Sequence, residues 1–207
     1  MAKVLILGSN GQIAQHAVRL MEARGDELTL YARSKHRYVP EGAQAISADV
    51  LDEAALRQAI AGQDIVYANL AGEIEAQAKA IVAAMDAEGV KRLIFVTSIG
   101  IYDEVPGAFG EWNNAMIGSV LKDYRKAADV IEASDLDYTV LRPAWLTNKD
   151  ETVYGVTHRH DPFTNTEVSR QAVAALVRDI VADPSIGSRD SLGVHKPGTE
   201  GPKPSFY

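Results

Sequence analysis

Two kinds of apolar spacing alternate along the chain. Val4 to Leu7 is an unbroken apolar run, the pattern of a strand covered on both faces. Directly after it, Gln12 to Arg24 carries Ile13, Ala14, Ala17, Val18 and Met21, the three- and four-residue spacing of one helix face. The alternation then repeats. Glu27–Tyr31 predicts a second strand, followed by a loop over 32–37, and Gln44–Ile46 a short third strand. Asp52–Ile60 predicts a helix with Asp52 near its N-terminus, and Asp64–Ala68 a fourth strand. Glu73–Glu88 predicts a helix closed by Gly89, and Arg92–Val96 a fifth strand. The polar, glycine-containing stretch 98–118 reads as a functional loop with some local helix. Val120–Ser134 predicts a helix, Asp137–Leu141 a sixth strand, and Thr147–Asn165 irregular chain. The last long helix is predicted over Thr166–Asp183, an edge strand over Ser191–His195, and a Gly/Pro-rich tail over 196–207.

Strands alternating with helices predict an α/β protein: a single Rossmann-type domain over 1–207, its doubly wound parallel sheet built by right-handed crossovers with helices on both faces. In such sheets ligands lie beyond the carboxyl ends of the strands. The informative loops therefore begin at Gly8, Ala32, Asp49, Asn69, Thr97 and Arg142, and the stretches 98–118 and 143–165 are candidates to cover a substrate. At 207 residues, 46% hydrophobic and 24% charged, the chain has the composition of an ordinary soluble domain. Its net charge of −7 argues against nucleic acid or an anionic membrane as partner. The absence of cysteine rules out disulfides and thiolate chemistry and fits a reducing cytosol. No apolar run approaches the roughly 18 residues of a membrane span, and a strand starting at Lys3 leaves no room for a signal peptide. The expectation is a cytoplasmic monomer or homodimer.

The first turn carries the clearest chemistry. Gly8-Ser9-Asn10-Gly11-Gln12-Ile13-Ala14 places a G-x-x-G-x-x-A pattern between a buried strand and a helix N-terminus. Free backbone N–H groups and the positive end of the helix dipole then face whatever sits above the turn, which suits the pyrophosphate of a dinucleotide. Gly8 allows a sharp turn, Gly11 a close approach of the pyrophosphate, and Ala14 close helix–strand packing. The loop after the second strand decides which dinucleotide. It holds Arg33, Ser34, Lys35, His36 and Arg37, with no acid before Glu41. Such a set suits a 2′-phosphate, with Arg33 and Ser34 as first contacts and Arg37 as second, and predicts NADP(H); a solvated basic loop is the alternative. Asp49 and Val50 after the third strand can flank the adenine. Asn69, Leu70 and Ala71 after the fourth let the backbone run close to a cofactor, or simply form a tight turn.

Taken with Phe95-Val96-Thr97-Ser98 and Tyr138-Thr139-Val140-Leu141-Arg142-Pro143, these motifs resemble the atypical short-chain dehydrogenase/reductases. More narrowly, the chain is similar, from Lys3 to about Asp183, to the single-domain NAD(P)H-binding, NmrA-like group that includes biliverdin and flavin reductases. The resemblance implies that Thr97, Ser98 and the segment Pro143-Ala144-Trp145-Leu146 border the nicotinamide. One departure matters. The Tyr-x-x-x-Lys pair of the wider family, a phenol whose pKa a lysine lowers, occurs only at Tyr31 and Lys35, at the adenosine end. Tyr124, on the helix where the pair belongs, has no lysine four residues on. Ser98, Tyr102 and Lys126 remain as candidates to hydrogen-bond or protonate a substrate, against a turn cap for Ser98 and plain packing or solvation for the others.

His158, His160 and Asp161 suggest a metal site but lack further ligands, so a solvated loop is favoured and no metal is assigned. Trp112, Trp145, Tyr154 and Phe163 either line a pocket for a planar substrate or pack in the core, and Ser169-Arg170 reads as a helix cap. The expected function is NADPH-dependent hydride transfer to a planar small-molecule acceptor such as a flavin, quinone or tetrapyrrole, which can take its proton from solvent. An NADP(H)-binding redox sensor without turnover, and a sugar-nucleotide epimerase-like enzyme, are the alternatives.

Overall fold

The computed structural model describes all residues 1–207. Fifteen elements follow one another: β1 (Lys3–Leu7), α1 (Gln12–Arg24), β2 (Glu27–Ala32), β3 (Gln44–Ser47), α2 (Glu53–Ile60), β4 (Ile65–Ala68), α3 (Ile74–Glu88), β5 (Arg92–Val96), α4 (Gly107–Glu132), β6 (Asp137–Pro143), β7 (Trp145–Thr147), β8 (Gly155–Thr157), β9 (Glu167–Ser169), α5 (Arg170–Ala182) and β10 (Asp190–His195). Eight strands form one sheet in the order β3-β2-β1-β4-β5-β6-β10-β8, parallel throughout except for the antiparallel β10–β8 pair. The order reverses direction between β1 and β4, and that switch point is where an open α/β sheet leaves a crevice.

The continuous apolar strands divide their side chains between two cores. Val4 and Ile6 of β1 pack with α1 and α5, whereas Leu5 and Leu7 pack on the other face with α2, α3 and α4. All four are fully buried. Burying one such side chain contributes about 1.5–3 kcal/mol, so a period-two pattern apolar at both phases specifies a strand between two helical layers. Local signals set the ends of the helices. Asp52 accepts from the Ala55 N–H at 3.1 Å to cap α2, and Gly25 and Gly89 end α1 and α3 in left-handed conformation.

Three expectations change. The stretch 98–118 is mostly helical, because α4 starts at Gly107 and runs 26 residues. Its first turns bury Phe109 and Asn113, and the missing side chain of Gly110 makes room for the Val105 carbonyl. The residues Thr166 to Ser169 do not begin the last helix: Glu167–Ser169 pair instead with Trp145–Thr147 as a second, two-stranded sheet. Finally, Ser191–His195 is not an edge strand, since β8 covers its free side; Gly193 fits there because Thr157 and Phe163 occupy the space of a side chain. The tail is tied back onto the second sheet. Ser205 donates to Glu167 Oε2 from its backbone N–H (3.1 Å) and its hydroxyl (2.7 Å), bringing Phe206 and Tyr207 back over the sheet.

Candidate functional site

At the carboxyl edge, β1 runs into Gly8 with φ +77°, a left-handed conformation that a side chain disfavours. A Cβ at Gly8 would also strike the Asn69 carbonyl oxygen. The turn is tied sideways, with the N–H groups of Gly8 and Ser9 donating to the Tyr31 carbonyl at 2.9 and 3.2 Å. Gly11 is crowded as well, by a side chain rather than main chain. The space of its Cβ is taken by the Asn69 side-chain amide. Asn10 is a staple between the glycine turn and the basic loop: its Nδ2 donates to Ser34 Oγ (3.2 Å) and the Lys35 carbonyl (3.0 Å), and its Oδ1 accepts from the Arg37 N–H (2.9 Å). Ser9 is buried and meets His36 Nδ1 at 3.2 Å, while His36 Nε2 lies 3.0 Å from the Ile46 carbonyl. Only a protonated Nε2 can satisfy that carbonyl, so in the neutral ring Ser9 is the donor to Nδ1.

These loops enclose a cavity of about 190 Å³ lined by Gly8, Asn10, Gly11, Arg33, Ser34, Asp49, Val50, Asn69, Leu70 and Ala71, with Tyr31 and Gln77 among the remainder. Arg33 is exposed and in no ion pair, so its guanidinium is free to meet an anion at the rim. Arg37 lies outside the lining, and so does exposed Gln12. Tyr31 donates to the Asp49 carbonyl at 2.8 Å; burial, reinforced by Asp52 and Asp49, pushes its phenol up to about 12. That holds Tyr31 neutral, a donor that braces the 49–50 loop. Gln77 is buried, its Nε2 on the Ala71 carbonyl and its Oε1 without any partner. A cradle whose turn admits no side chain, with an orphaned acceptor in its wall and an unpaired arginine at its rim, fits an adenine dinucleotide.

Asn69 and Leu70 also line a second, larger cavity of about 460 Å³, so the two are neighbours along one crevice. Its lining is mainly apolar and includes Ile13, Thr97, Ser98, Tyr124, Pro143, Ala144, Trp145, Phe206 and Tyr207. Thr97 turns its hydroxyl away to the Leu141 carbonyl (3.0 Å), whereas Ser98, half-buried, has only the adjacent Ile99 carbonyl at 3.2 Å. Trp145 is braced from behind. Its Nε1 donates to buried Asn113 at 2.9 Å, and its ring lies 4.7 Å from Trp112 and 5.2 Å from Tyr207. Tyr124 is in the wall, with burial and then Asp123 raising its phenol, which keeps it a hydrogen-bond donor.

Two residues expected near the chemistry lie elsewhere. Tyr102 donates to Glu132 at 2.5 Å beneath the guanidinium groups of Arg125, Arg142 and Arg159, and burial followed by the Glu132 contact raises its pKa far above neutrality. Lys126 is solvent-exposed and paired with Glu75 at 3.2 Å. Neither lines the second cavity. Of the other sequence candidates, Phe163 is wholly buried in the core, Tyr154 donates to Asp179 at 2.6 Å, and His158 pairs with Asp190 at 2.6 Å while its N–H donates to Asp161. Ser169 caps α5 through the Ala172 N–H at 3.0 Å.

Three features escaped sequence reasoning. Phe206 and Tyr207 close the second cavity from the far end of the chain, and no local pattern links them to residue 145. Arg142 is fully buried, held by Glu104 at 2.5 Å, by Ser191 Oγ at 3.0 Å and by the His158 and Ser191 carbonyls. Glu104 in turn accepts from the Gly100 and Tyr102 N–H groups, so this ion pair shapes the whole 98–106 loop behind Ser98. The Arg-Pro sequence was visible; its partner, 38 residues earlier, was not.

Comparison with known proteins agrees with the geometry. Residues 8–184 match the family described as NAD(P)H-binding, and the chain belongs to that family. It is 30% identical over 193 residues to a Bacillus subtilis (strain 168) protein named "Uncharacterized sugar epimerase YhfK", covering 84% of this chain and 86% of that one. Among solved structures, a Rossmann-fold NAD(P)-binding family protein from Shigella flexneri is 47% identical with a TM-score of 0.85, and both chains are covered completely. A short-chain dehydrogenase/reductase from Veillonella parvula DSM 2008, solved in complex with NADP, is 33% identical with a TM-score of 0.93, again over the whole of both chains.

Proposed function

We propose that the protein is an NADPH-dependent oxidoreductase that delivers hydride to a conjugated or aromatic small molecule held in the second cavity. The observation that carries this reading is the apolar cavity walled by Trp145 and Tyr207, continuous through Asn69 and Leu70 with the dinucleotide cradle. Arg33 at the cradle's rim, with no carboxylate in the 33–37 loop, favours the 2′-phosphorylated cofactor, as does the NADP bound by the Veillonella relative. The bound cofactor supplies the hydride.

The chain's own groups position and polarise. Ser98 and Tyr124 present hydroxyls to the cavity, where either can donate to a carbonyl oxygen or ring nitrogen gaining electron density. Trp145 and Tyr207 offer flat faces and exclude water, so positioning provides most of the acceleration. An epimerase working through a bound nicotinamide takes hydride from a carbinol carbon and a proton from its hydroxyl, then returns both, which calls for a base of lowered pKa beside that hydroxyl. None of the cavity's lining residues is an Asp, Glu, His or Lys, and burial raises rather than lowers the phenol of Tyr124. A conjugated acceptor makes no such demand.

The test is NADPH oxidation at the nicotinamide absorbance band with flavin and quinone acceptors. Acceptor-dependent oxidation supports the reading; tight NADPH binding with no oxidation by any acceptor overturns it and leaves a sensor.

A further inference from the structure

One charged side chain enters the lining of the second cavity. Arg170 is the first residue of α5 and stands beside Trp145, Leu146 and Tyr207. Its Nη1 donates to the Leu146 carbonyl at 3.3 Å and to Asn148 Oδ1 at 2.9 Å, both neutral acceptors. Nearby lysines are neutralised, Lys149 by Glu167 and Lys196 by Glu151, each at 2.7 Å. Arg170 has no such partner, and no Asp or Glu contributes to the cavity wall.

Nothing in the fold requires a cation at this point. Ser169 already caps the helix. A positive charge in the first turn of a helix opposes the helix dipole, and half-burying a guanidinium without a counter-ion costs solvation. Burial accordingly lowers its pKa, although an arginine stays charged. Since Nη1 makes both protein contacts, the Nε–Nη2 edge is left without a protein partner, and that edge pairs with a planar oxyanion through two parallel hydrogen bonds.

We propose that Arg170 reads a carboxylate on the acceptor, so that the second cavity takes planar aromatic acids in preference to neutral rings of the same shape. The proposal rests on the assignment of this cavity to the acceptor. A pyrophosphate is the other anion within the crevice, but Arg170 takes no part in the cradle formed by Gly8 to Gly11 and lies among the aromatic residues instead. The ring rests against the wall that Trp145 and Tyr207 form together, while the guanidinium fixes which edge points away from the cofactor.

Calorimetric titration of the NADP⁺-loaded protein with 2-naphthoate and 2-naphthamide, which differ in charge but hardly in shape, tests the idea. Naphthoate is expected to bind at least tenfold more tightly. Arg170→Gln should erase that preference, Arg170→Lys should keep part of it, and both should leave NADPH affinity within about twofold. Equal binding of the two probes by the unaltered protein, or a preference that survives Arg170→Gln, overturns the proposal. A tenfold loss of NADPH affinity in Arg170→Gln also overturns it, by giving the arginine to the pyrophosphate. The reductase reading fails separately: a charge preference with no NADPH oxidation by any acceptor retains the anion site and discards the hydride transfer.

Discussion

The two cavities that share Asn69 and Leu70 are built in opposite ways. The cradle on the β1, β2 and β4 side comes from loops that directly follow their strands, at 8–11, 33–34, 49–50 and 69–71, and much of its shape is main chain. The second cavity draws single side chains from places remote in sequence: Ile13, Ser98, Tyr124, Trp145, Arg170 and Tyr207. A strand–turn–helix unit dictates the first almost by itself, because the turn angle, the free N–H groups and the dipole come together. The second depends on tertiary packing for every contact. Damage to the cradle should therefore abolish cofactor binding whatever the acceptor, whereas damage to the acceptor side should alter substrate use with the cofactor still bound.

Gly8→Val is the most severe way to test that separation. A β-branched residue at φ +77° is strained by about 1–3 kcal/mol, and its Cβ would collide with the Asn69 carbonyl oxygen. NADPH affinity is expected to fall below detection in calorimetry and the melting temperature by several degrees; near-normal binding would remove the cradle from the cofactor site. Arg33→Asp is milder. Losing a charge-assisted pair worth roughly 1.5–3 kcal/mol should weaken NADPH binding about 10- to 100-fold and leave NADH almost unchanged. Equal losses for both nucleotides would show that Arg33 is merely part of a solvated basic loop.

That difference in construction also explains what could be read from the chain in advance. The strands through β6 and the helices before them, the first half of α4 excepted, were visible because their apolar periodicity is unambiguous, and the positions of Gly8, Arg33 and Asp49 follow once the strands are placed. The short strands β7, β8 and β9 have three residues each, too few for a period to show. Tyr102 and Lys126 have the right chemistry for proton donors, yet Glu132 and Glu75, partners 30 and 51 residues away, hold them outside the cavity. The glycines of α4 concealed its first three turns, since glycine lowers helix propensity by about 1 kcal/mol and only the fit of Gly110 against Val105 repays it. Arg170 was legible as a helix-start residue, but its lack of a counter-ion is a property of space, not of sequence.

On the acceptor side, Trp145→Ala removes an aromatic face held by Asn113, Trp112 and Tyr207. An aromatic pair contributes about 0.5–1.5 kcal/mol beyond its buried area, so KM for aromatic acceptors should rise roughly tenfold, with NADPH affinity kept within about twofold. A matching loss of NADPH affinity would mean that the two cavities are not energetically separate.

The smallest expected effect sharpens the same contrast through pH. The cradle is tied chiefly by the Asn10 amide, with His36 between Ser9 and Ile46, whereas the segment behind the second cavity is tied to β10 by the His158–Asp190 pair. The hydrogen bond to Asp190 and that carboxylate's charge, with a lesser contribution from Asp161, raise the His158 pKa above the usual histidine value. A histidine with a raised folded-state pKa contributes stability that is complete below the unfolded value near 6.5 and is lost as pH climbs through the folded one. His16 and His195, whose pKa values burial lowers, contribute with the opposite sign, so the melting curve of the unaltered protein mixes the two. The informative quantity is the difference in melting temperature between the unaltered protein and Asp190→Asn. That difference should be largest near pH 6 and shrink toward pH 9, by a degree or two in all because the ring is largely exposed. NADPH affinity should not follow it. A difference independent of pH would show that the pair holds the loop by geometry alone, and a parallel change in NADPH binding would mean that strain on the acceptor side reaches the cradle.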